Sequence, residues 1–521
     1  MSPSLIQSIV YGLILGGAFS TFPCQASEAY REPWRPQLHF TPAKNWMNDP
    51  NGMVFYDGEY HLFYQYNPFG DKWGHMSWGH AVSQDLMRWE HLPVALYEEN
   101  DIMIFSGSAV VDWNNTTGFG RNGTPPMVAI YTGHYTKKPL QNQQIAYSND
   151  RGRTWTKYAG NPVLDIGAKD FRDPKVMWHA PTQSWVMTVA WPVERKIRFY
   201  ASPDLKTWTH LSDFGPAGST VGIWECPDLF PLRVEGPAWR EKWVLIVNVG
   251  SGAPAGGSGC QYFVGEFDGT RFTLDSSPHM PQTRPTQALW ADWGRDFYAA
   301  VSWSDIPKSD GRRLWLGWMS NWEYANDVPT APWRSAMSLP RELSLRETSR
   351  GLRLIQQPAR ELKKLRTRRH RLSSATGSEA NTWLRTLQTK SPLLEMAAEL
   401  DASPGVSNIG LRLTTGAEES VVLRWSAGGI MNLDRSRSGK VDFHPKFSGA
   451  FESPEVSPGR RHRFRLIIDT SSIELFDNDG ETCVTSLFLP MGKDRLFQLE
   501  GAPSSLKVKK LEIWELRSAM P

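Results

Sequence analysis

A repeat constrains this chain more than any other feature. The segment Ser83-Gln84-Asp85-Leu86-Met87-Arg88-Trp89-Glu90 returns as Ser148-Asn149-Asp150-Arg151-Gly152-Arg153, followed by Trp155. It returns again as Ser202-Pro203-Asp204-Leu205-Lys206-Thr207-Trp208-Thr209, with a degenerate copy at Phe267-Asp268-Gly269-Thr270-Arg271-Phe272. The first three copies start 65 and 54 residues apart. Each places a Ser-x-Asp turn before an aromatic strand, and each follows an alternating strand such as Ile145-Ala146-Tyr147. A unit of this kind cannot bury its own apolar face and must stack on its neighbours. A four-stranded propeller blade with its loops takes up about this much chain. The expected class is therefore all-β, with a five-bladed β-propeller over residues 34–358. Dense Gly and Pro and the lack of sustained helical periodicity agree with that expectation.

After the propeller the character changes. In Ala359-Arg360-Glu361-Leu362-Lys363-Lys364-Leu365-Arg366, leucines recur at spacing three. Residues 359–375 are read as a short helical linker with a basic, solvated face. Short alternating strands resume over residues 376–521, as in Val421-Val422-Leu423-Arg424-Trp425, and point to a β-sandwich. At the other end, an apolar run from Ile9 to Phe22 precedes Cys24-Gln25-Ala26. The run is too short to span a bilayer comfortably and reads as a signal peptide over residues 1–26. The expected location is secreted or periplasmic, with no membrane association after cleavage. Cys24 would leave with the signal, and Cys226, Cys260 and Cys483 form neither a disulfide framework nor a metal motif.

Charge narrows the partners. The 57 basic and 54 acidic residues leave a net charge of +3, without the concentrated basic face that nucleic acid requires. No P-loop, Cys-x-x-Cys pair, His-Glu-x-x-His or dinucleotide glycine motif is present. Trp73-Gly74-His75 and Trp78-Gly79-His80 echo each other, but two histidines without an acidic third ligand make a poor metal site. The expectation is no metal and no cofactor. The 24 tryptophans point instead to sugar, because indole faces pack on the apolar faces of carbohydrate rings. At least half of them are needed simply as core.

Three carboxylates stand in unusual settings: Asp49 in Trp46-Met47-Asn48-Asp49-Pro50-Asn51-Gly52, Asp173 in Phe171-Arg172-Asp173-Pro174, and Glu225 in Trp224-Glu225-Cys226-Pro227. Each has an ordinary structural reading: a turn residue, half of an Arg–Asp pair, and a loop glutamate. Two facing carboxyl groups are also the apparatus that hydrolyses a glycoside. The strand Met53-Val54-Phe55-Tyr56 follows Asp49, which at the start of an innermost blade strand would face the central funnel. Glu225 has apolar neighbours, unlike a solvated loop, which suits a group that must give and then take a proton.

Taken together, these motifs resemble glycoside hydrolase family 32, the β-fructofuranosidases: invertases, exo-inulinases and levanases. The resemblance covers nearly the whole chain from about residue 35 and is strongest in the propeller motifs. It implies Asp49 as nucleophile, Glu225 as acid/base and Asp173 as the carboxylate that holds ring hydroxyls. It implies substrate contacts from Trp46, Met47, Asn48, Gln65, Trp73, Phe105, Ser106, Arg172, Asp292, Trp318 and Trp322. The implied activity is retaining release of terminal β-D-fructofuranosyl units from levan, inulin and sucrose, with a fructose-containing oligo- or polysaccharide as the only partner. A fructosyltransferase would use the same three carboxylates. A non-catalytic fructan-binding protein should have lost one of them, and all three are here. Oligomeric state is not legible.

Overall fold

The computed structural model describes residues 30–275, 288–453, 460–501 and 503–520. The proposed signal peptide, residues 1–26, lies outside them. Residues 45–358 form five antiparallel sheets arranged as blades I to V. Their innermost strands are Asn45–Tyr56, Ile102–Val111, Arg172–His179, Trp224–Arg233 and Tyr298–Ser302. Each innermost strand neighbours the next, and the fifth returns to the first, so the ring is closed. At the closure, Ser304 N–H donates to Met53 O at 2.8 Å and Phe55 N–H donates to Ser304 O at 2.9 Å.

The repeated segment is the turn between the third and fourth strands of a blade. Asp85 Oδ1 accepts from the backbone N–H of Met87 (3.0 Å) and Arg88 (2.8 Å), while Trp89 Nε1–H donates to Leu86 O. Asp204 and Trp208 repeat this in blade III, with bonds from Lys206 N–H, Thr207 N–H and to Leu205 O. In blade II, Asp150 and Trp155 do the same across a turn one residue longer, with Gly152 at φ +77°. The degenerate copy keeps the aspartate, as Asp268 accepts from Thr270 and Arg271 N–H, and loses the tryptophan. The motif recurs because blades I to IV turn the same tight, self-capped corner; blade V turns instead in a short hairpin between Thr348 and Gly351.

The second part is a two-sheet sandwich of six and five strands. Leu411, Leu423 and Leu433 from one sheet meet Leu466, Leu475 and Ile513 from the other in one core. The six-stranded sheet is also covered on its outer face. Ile467, Phe476 and Cys483 alternate with those core residues and pack with Phe40, Leu362 and Leu365 against the propeller. The period of two along a strand is thus what fastens the domains together.

The expected linker takes a different form. Arg360–Leu365 is a 3-10 helix whose Leu362 and Leu365 are buried. Residues Arg366–Thr376 are no linker but the edge strand of the six-stranded sheet, paired with Leu506–Leu516. Of the basic side chains that suggested a solvated face, Arg368, Arg369 and Arg371 are exposed, but on a strand, while Arg366 pairs with the buried Glu395. A capping box at Thr376 and Glu379 then starts an α-helix, Gly377–Thr386, within the part read as pure sandwich.

Candidate active site

All five innermost strands carry a bulge near their first residues. In each case the inner strand advances three residues while its partner advances two: Met47 to Pro50, Ile104 to Gly107, Arg172 to Lys175, Glu225 to Asp228 and Tyr298 to Val301. A bulge bends the strand and re-aims the side chains beside it. The residues in or flanking these bulges are Asp49, Ser106, Asp173, Glu225 with Cys226, and Tyr298. Asp173 (φ +67°) and Cys226 (φ +43°) are held in the left-handed region, where a non-glycine residue is held at a cost by its surroundings.

The bulges bring the three carboxylates to one funnel. Asp49 is buried; its Oδ2 accepts from Ser106 Oγ–H at 2.7 Å and its Oδ1 from Asn48 Nδ2–H at 3.1 Å. Asp173 Oδ2 accepts from Cys226 N–H at 2.9 Å. The Cys226 thiol lies between them, 3.5 Å from Asp49 Oδ2 and 3.6 Å from Asp173 Oδ2. Glu225 Oε1 is 3.0 Å from the Arg172 guanidinium, and its Oε2 accepts from Tyr298 Oη–H at 2.5 Å. The apolar neighbours Ile223 and Trp224 therefore do not enclose this carboxylate; an arginine and a phenol do.

Crowding sets the electrostatics. Burial pushes Asp49 above its ordinary value, and the charge of Glu225 adds to the rise; the bonds from Ser106, Asn48 and Cys226 oppose it. Burial pushes Asp173 up to about 7, against the pull of Arg172 and with the charges of Glu225 and Asp49. Burial and the same three carboxylates hold the Cys226 thiol well above its usual value, so it remains a donor. Among the described residues no group of three or more His, Cys, Asp and Glu is placed to hold a metal ion.

The remaining expected contacts divide into three groups. Asn48, Ser106 and Arg172 touch the carboxylates directly. Gln65 Nε2–H donates to Ile104 O at 2.9 Å and steadies the blade II bulge. Trp73, 42% exposed, meets Phe105 edge-to-face at 6.1 Å, and its N–H donates to Asn326 Oδ1. Phe105 in turn stacks on His134 at 4.4 Å. Trp46, Met47 and Trp318 are fully buried. Trp46 donates through Nε1 to Asn48 Oδ1 at 2.7 Å, and half-buried Trp322 stacks on Trp46 at 6.0 Å and against Trp318 at 4.7 Å. Trp46, Met47 and Trp318 therefore back the pocket, and Trp322 is the member of that stack with exposed surface.

Asp292 is a correction. Its side chain is inaccessible, bonded to Thr485 N–H and Oγ1–H and paired with Arg341 Nη1 at 3.0 Å. It joins propeller to sandwich and has no surface to offer a sugar. Two residues were missed as functional. Cys226 was legible only as part of Glu225's setting, and Tyr298 only as one aromatic of a strand. Neither shows its role until the blades are closed.

Comparison with known proteins gives one consistent result. Residues 39–358 match the family model Glycosyl hydrolases family 32 N-terminal domain, and residues 361–515 match Glycosyl hydrolases family 32 C terminal. A levanase of Bacillus subtilis is 50% identical, over 99% of this chain and 75% of its own length. An extracellular exo-inulinase of Aspergillus niger is 40% identical, over 92% of this chain and 94% of its own. The crystal structure of an exo-inulinase from Aspergillus awamori superposes with a TM-score of 0.85 at 35% identity, covering 94% of this chain and 99% of that one.

Proposed function

The chain belongs to glycosyl hydrolase family 32 and is a glycoside hydrolase; from that membership and its site we propose that it releases terminal β-D-fructofuranosyl units with retention. The observation that carries this reading is the trio of donors on Asp49 with Glu225 in the same funnel. Asn48, Ser106 and Cys226 favour the ionised form of a buried nucleophile. Once Glu225 holds a proton, the repulsion that raises Asp49 also disappears. The working pair is thus a protonated Glu225 and an ionised Asp49.

In the first step an Asp49 oxygen bonds to the anomeric carbon as the glycosidic C–O bond breaks, and Glu225 gives its proton to the departing oxygen. Arg172 and Tyr298 receive the carboxylate that Glu225 becomes. In the second step that carboxylate takes a proton from water, whose oxygen displaces Asp49. Asp173 keeps Oδ2 on Cys226 N–H, and its Oδ1 has no partner among the described residues, so it is free for a ring hydroxyl. The buried floor of Trp46, Met47 and Trp318 closes the pocket and favours chain ends. The names of a levanase and an exo-inulinase among the relatives point to levan and inulin as substrates, that of an invertase to sucrose, and the extracellular relative supports secretion. No described helix is long and apolar enough to cross a membrane.

The test is Asp49→Asn assayed on sucrose and levan. The amide should lose at least about a hundredfold in kcat, with early-time NMR of the native enzyme showing β-fructofuranose first. A variant that keeps more than about a hundredth of the native rate, or α-fructofuranose as first product, overturns the assignment.

A further inference from the structure

The innermost strands have two ends, and the chemistry above uses one. Two or three residues beyond the carboxylates, Lys175 and Asp228 pair at 3.7 Å across blades III and IV, and Ser302 N–H donates to Asp228 Oδ2 at 2.6 Å. Beyond this plug the far parts of all five strands, at Tyr56, Val111, Trp178, Pro231 and Ser302, line a second cavity of about 960 Å³. Neighbouring inner strands run parallel where blade V meets blade I, at Val54 and Ser304. The cavity therefore opens on the face opposite the catalytic funnel, and its volume is in the range of ligand sites.

Three observations say what it would hold. Its rim presents exposed indoles: Trp113 is 57% exposed and Trp178 36%. Among the described residues only four tryptophans are exposed by more than a third; one is Trp73 beside the catalytic pocket, and two are here. Both are fixed from behind. Tyr56 meets Trp113 edge-to-face at 5.7 Å while Trp113 Nε1–H donates to Asp305 at 2.9 Å, and Trp185 meets Trp178 edge-to-face at 5.2 Å. Second, exposed polar side chains of the lining, Asp57, Asn114 and Lys308, offer hydrogen bonds to a ligand's hydroxyls, whereas Asp228 and Ser302 are inaccessible beneath them. Third, the lining charges nearly offset one another, with Lys175, Lys308 and Arg313 against Asp57, Asp228, Glu241 and Asp305. That disfavours a polyanion and suits an uncharged ligand. Fixed aromatic faces, exposed hydrogen-bonding side chains and nearly balanced charge together describe a carbohydrate site.

We propose that this lower cavity is a non-catalytic binding site for a neutral oligosaccharide, and specifically for a stretch of the fructan whose ends the upper pocket hydrolyses. The choice of fructan rests on the function proposed above. Holding a polymer at a second site would raise the local concentration of its ends without contributing to the chemistry.

The experiment compares native enzyme with Trp178→Ala and Trp113→Ala, two substitutions at the rim and outside the catalytic machinery. On sucrose, kcat/KM should stay within about twofold; on levan, KM should rise about tenfold, the effect of losing an aromatic platform. In parallel, Asp49→Asn protein should be retarded during electrophoresis through levan-containing gels, and Asp49→Asn/Trp178→Ala protein much less. Equal retardation of the two, or an unchanged levan KM in both rim variants, overturns the proposal. The gel reads binding without turnover. A native enzyme that hydrolyses neither levan nor inulin would sink the proposed function, while the gel would still decide the cavity.

Discussion

Substituting His39 by glutamine removes a charge from the centre of the propeller–sandwich interface. The ring is buried, with Nδ1 2.6 Å from Asp469 Oδ2 and Nε2 2.8 Å from Glu474 Oε1. Burial alone would lower its pKa; the hydrogen bonds and charges of the two carboxylates outweigh burial and raise it from 6.5 to about 9. A raised folded-state pKa gives stability that is fully present below the unfolded value of about 6.5 and is lost as pH rises through about 9. At about 1.36 kcal/mol per unit, the span from 6.5 to about 9 corresponds to ~3 kcal/mol. Both nitrogens are bonded and no solvent reaches the ring, so screening does not reduce this figure. Asp469 and Glu474 are displaced the other way: burial is outweighed by His39 and, for Glu474, by Arg341, and both fall below their ordinary values. Their contribution is present above the ordinary carboxylate range and lost on acidification. The assay is urea unfolding followed by tryptophan fluorescence at about pH 6 and about pH 9.5, either side of the histidine window. The native protein should lose ~3 kcal/mol between the two, and His39→Gln should change much less. A gap between native and variant that is the same at both pH values would refute the reasoning.

Three further outcomes follow from the site and its support. Tyr298→Phe removes the hydroxyl on Glu225 and should lower kcat/KM by about 10- to 100-fold, the effect of one hydrogen bond to a charged group; an unchanged kcat/KM would leave Tyr298 as packing alone. Asp292→Asn should cost ~3 kcal/mol in unfolding, as loss of a buried pair does, with KM for sucrose unchanged; a raised KM at native stability would return Asp292 to the sugar pocket. Burial raises Asp49, and Asp49 must be ionised to attack while Glu225 holds its proton. The acid limb of kcat/KM should therefore lie above about pH 4, the ordinary carboxylate value; a limb at or below it would contradict the effect of burial on Asp49.

Much of the architecture was legible because it is local. The Ser-x-Asp corner with its tryptophan closes on itself within a few residues, so its copies survive in the sequence and mark blades I to III, with a degenerate copy in blade IV. Alternation marked the sandwich strands for the same reason. Asp49, Asp173 and Glu225 stood out because a strand that must bulge at the funnel needs turn residues and proline beside its carboxylate. What the sequence could not decide was direction and partner. A shift of one residue at a bulge sends a side chain to the other face of its blade, so nothing local distinguishes Tyr298, which reaches Glu225, from the aromatic residues around it. Asp292 sits in a similar aromatic setting and turns the other way, to Thr485, 193 residues further on. Arg366–Thr376 carries the composition of a linker and becomes a strand because Leu506–Leu516 lies beside it. Contacts made across such separations depend on blade closure and domain docking, and these exist only once the whole chain has folded.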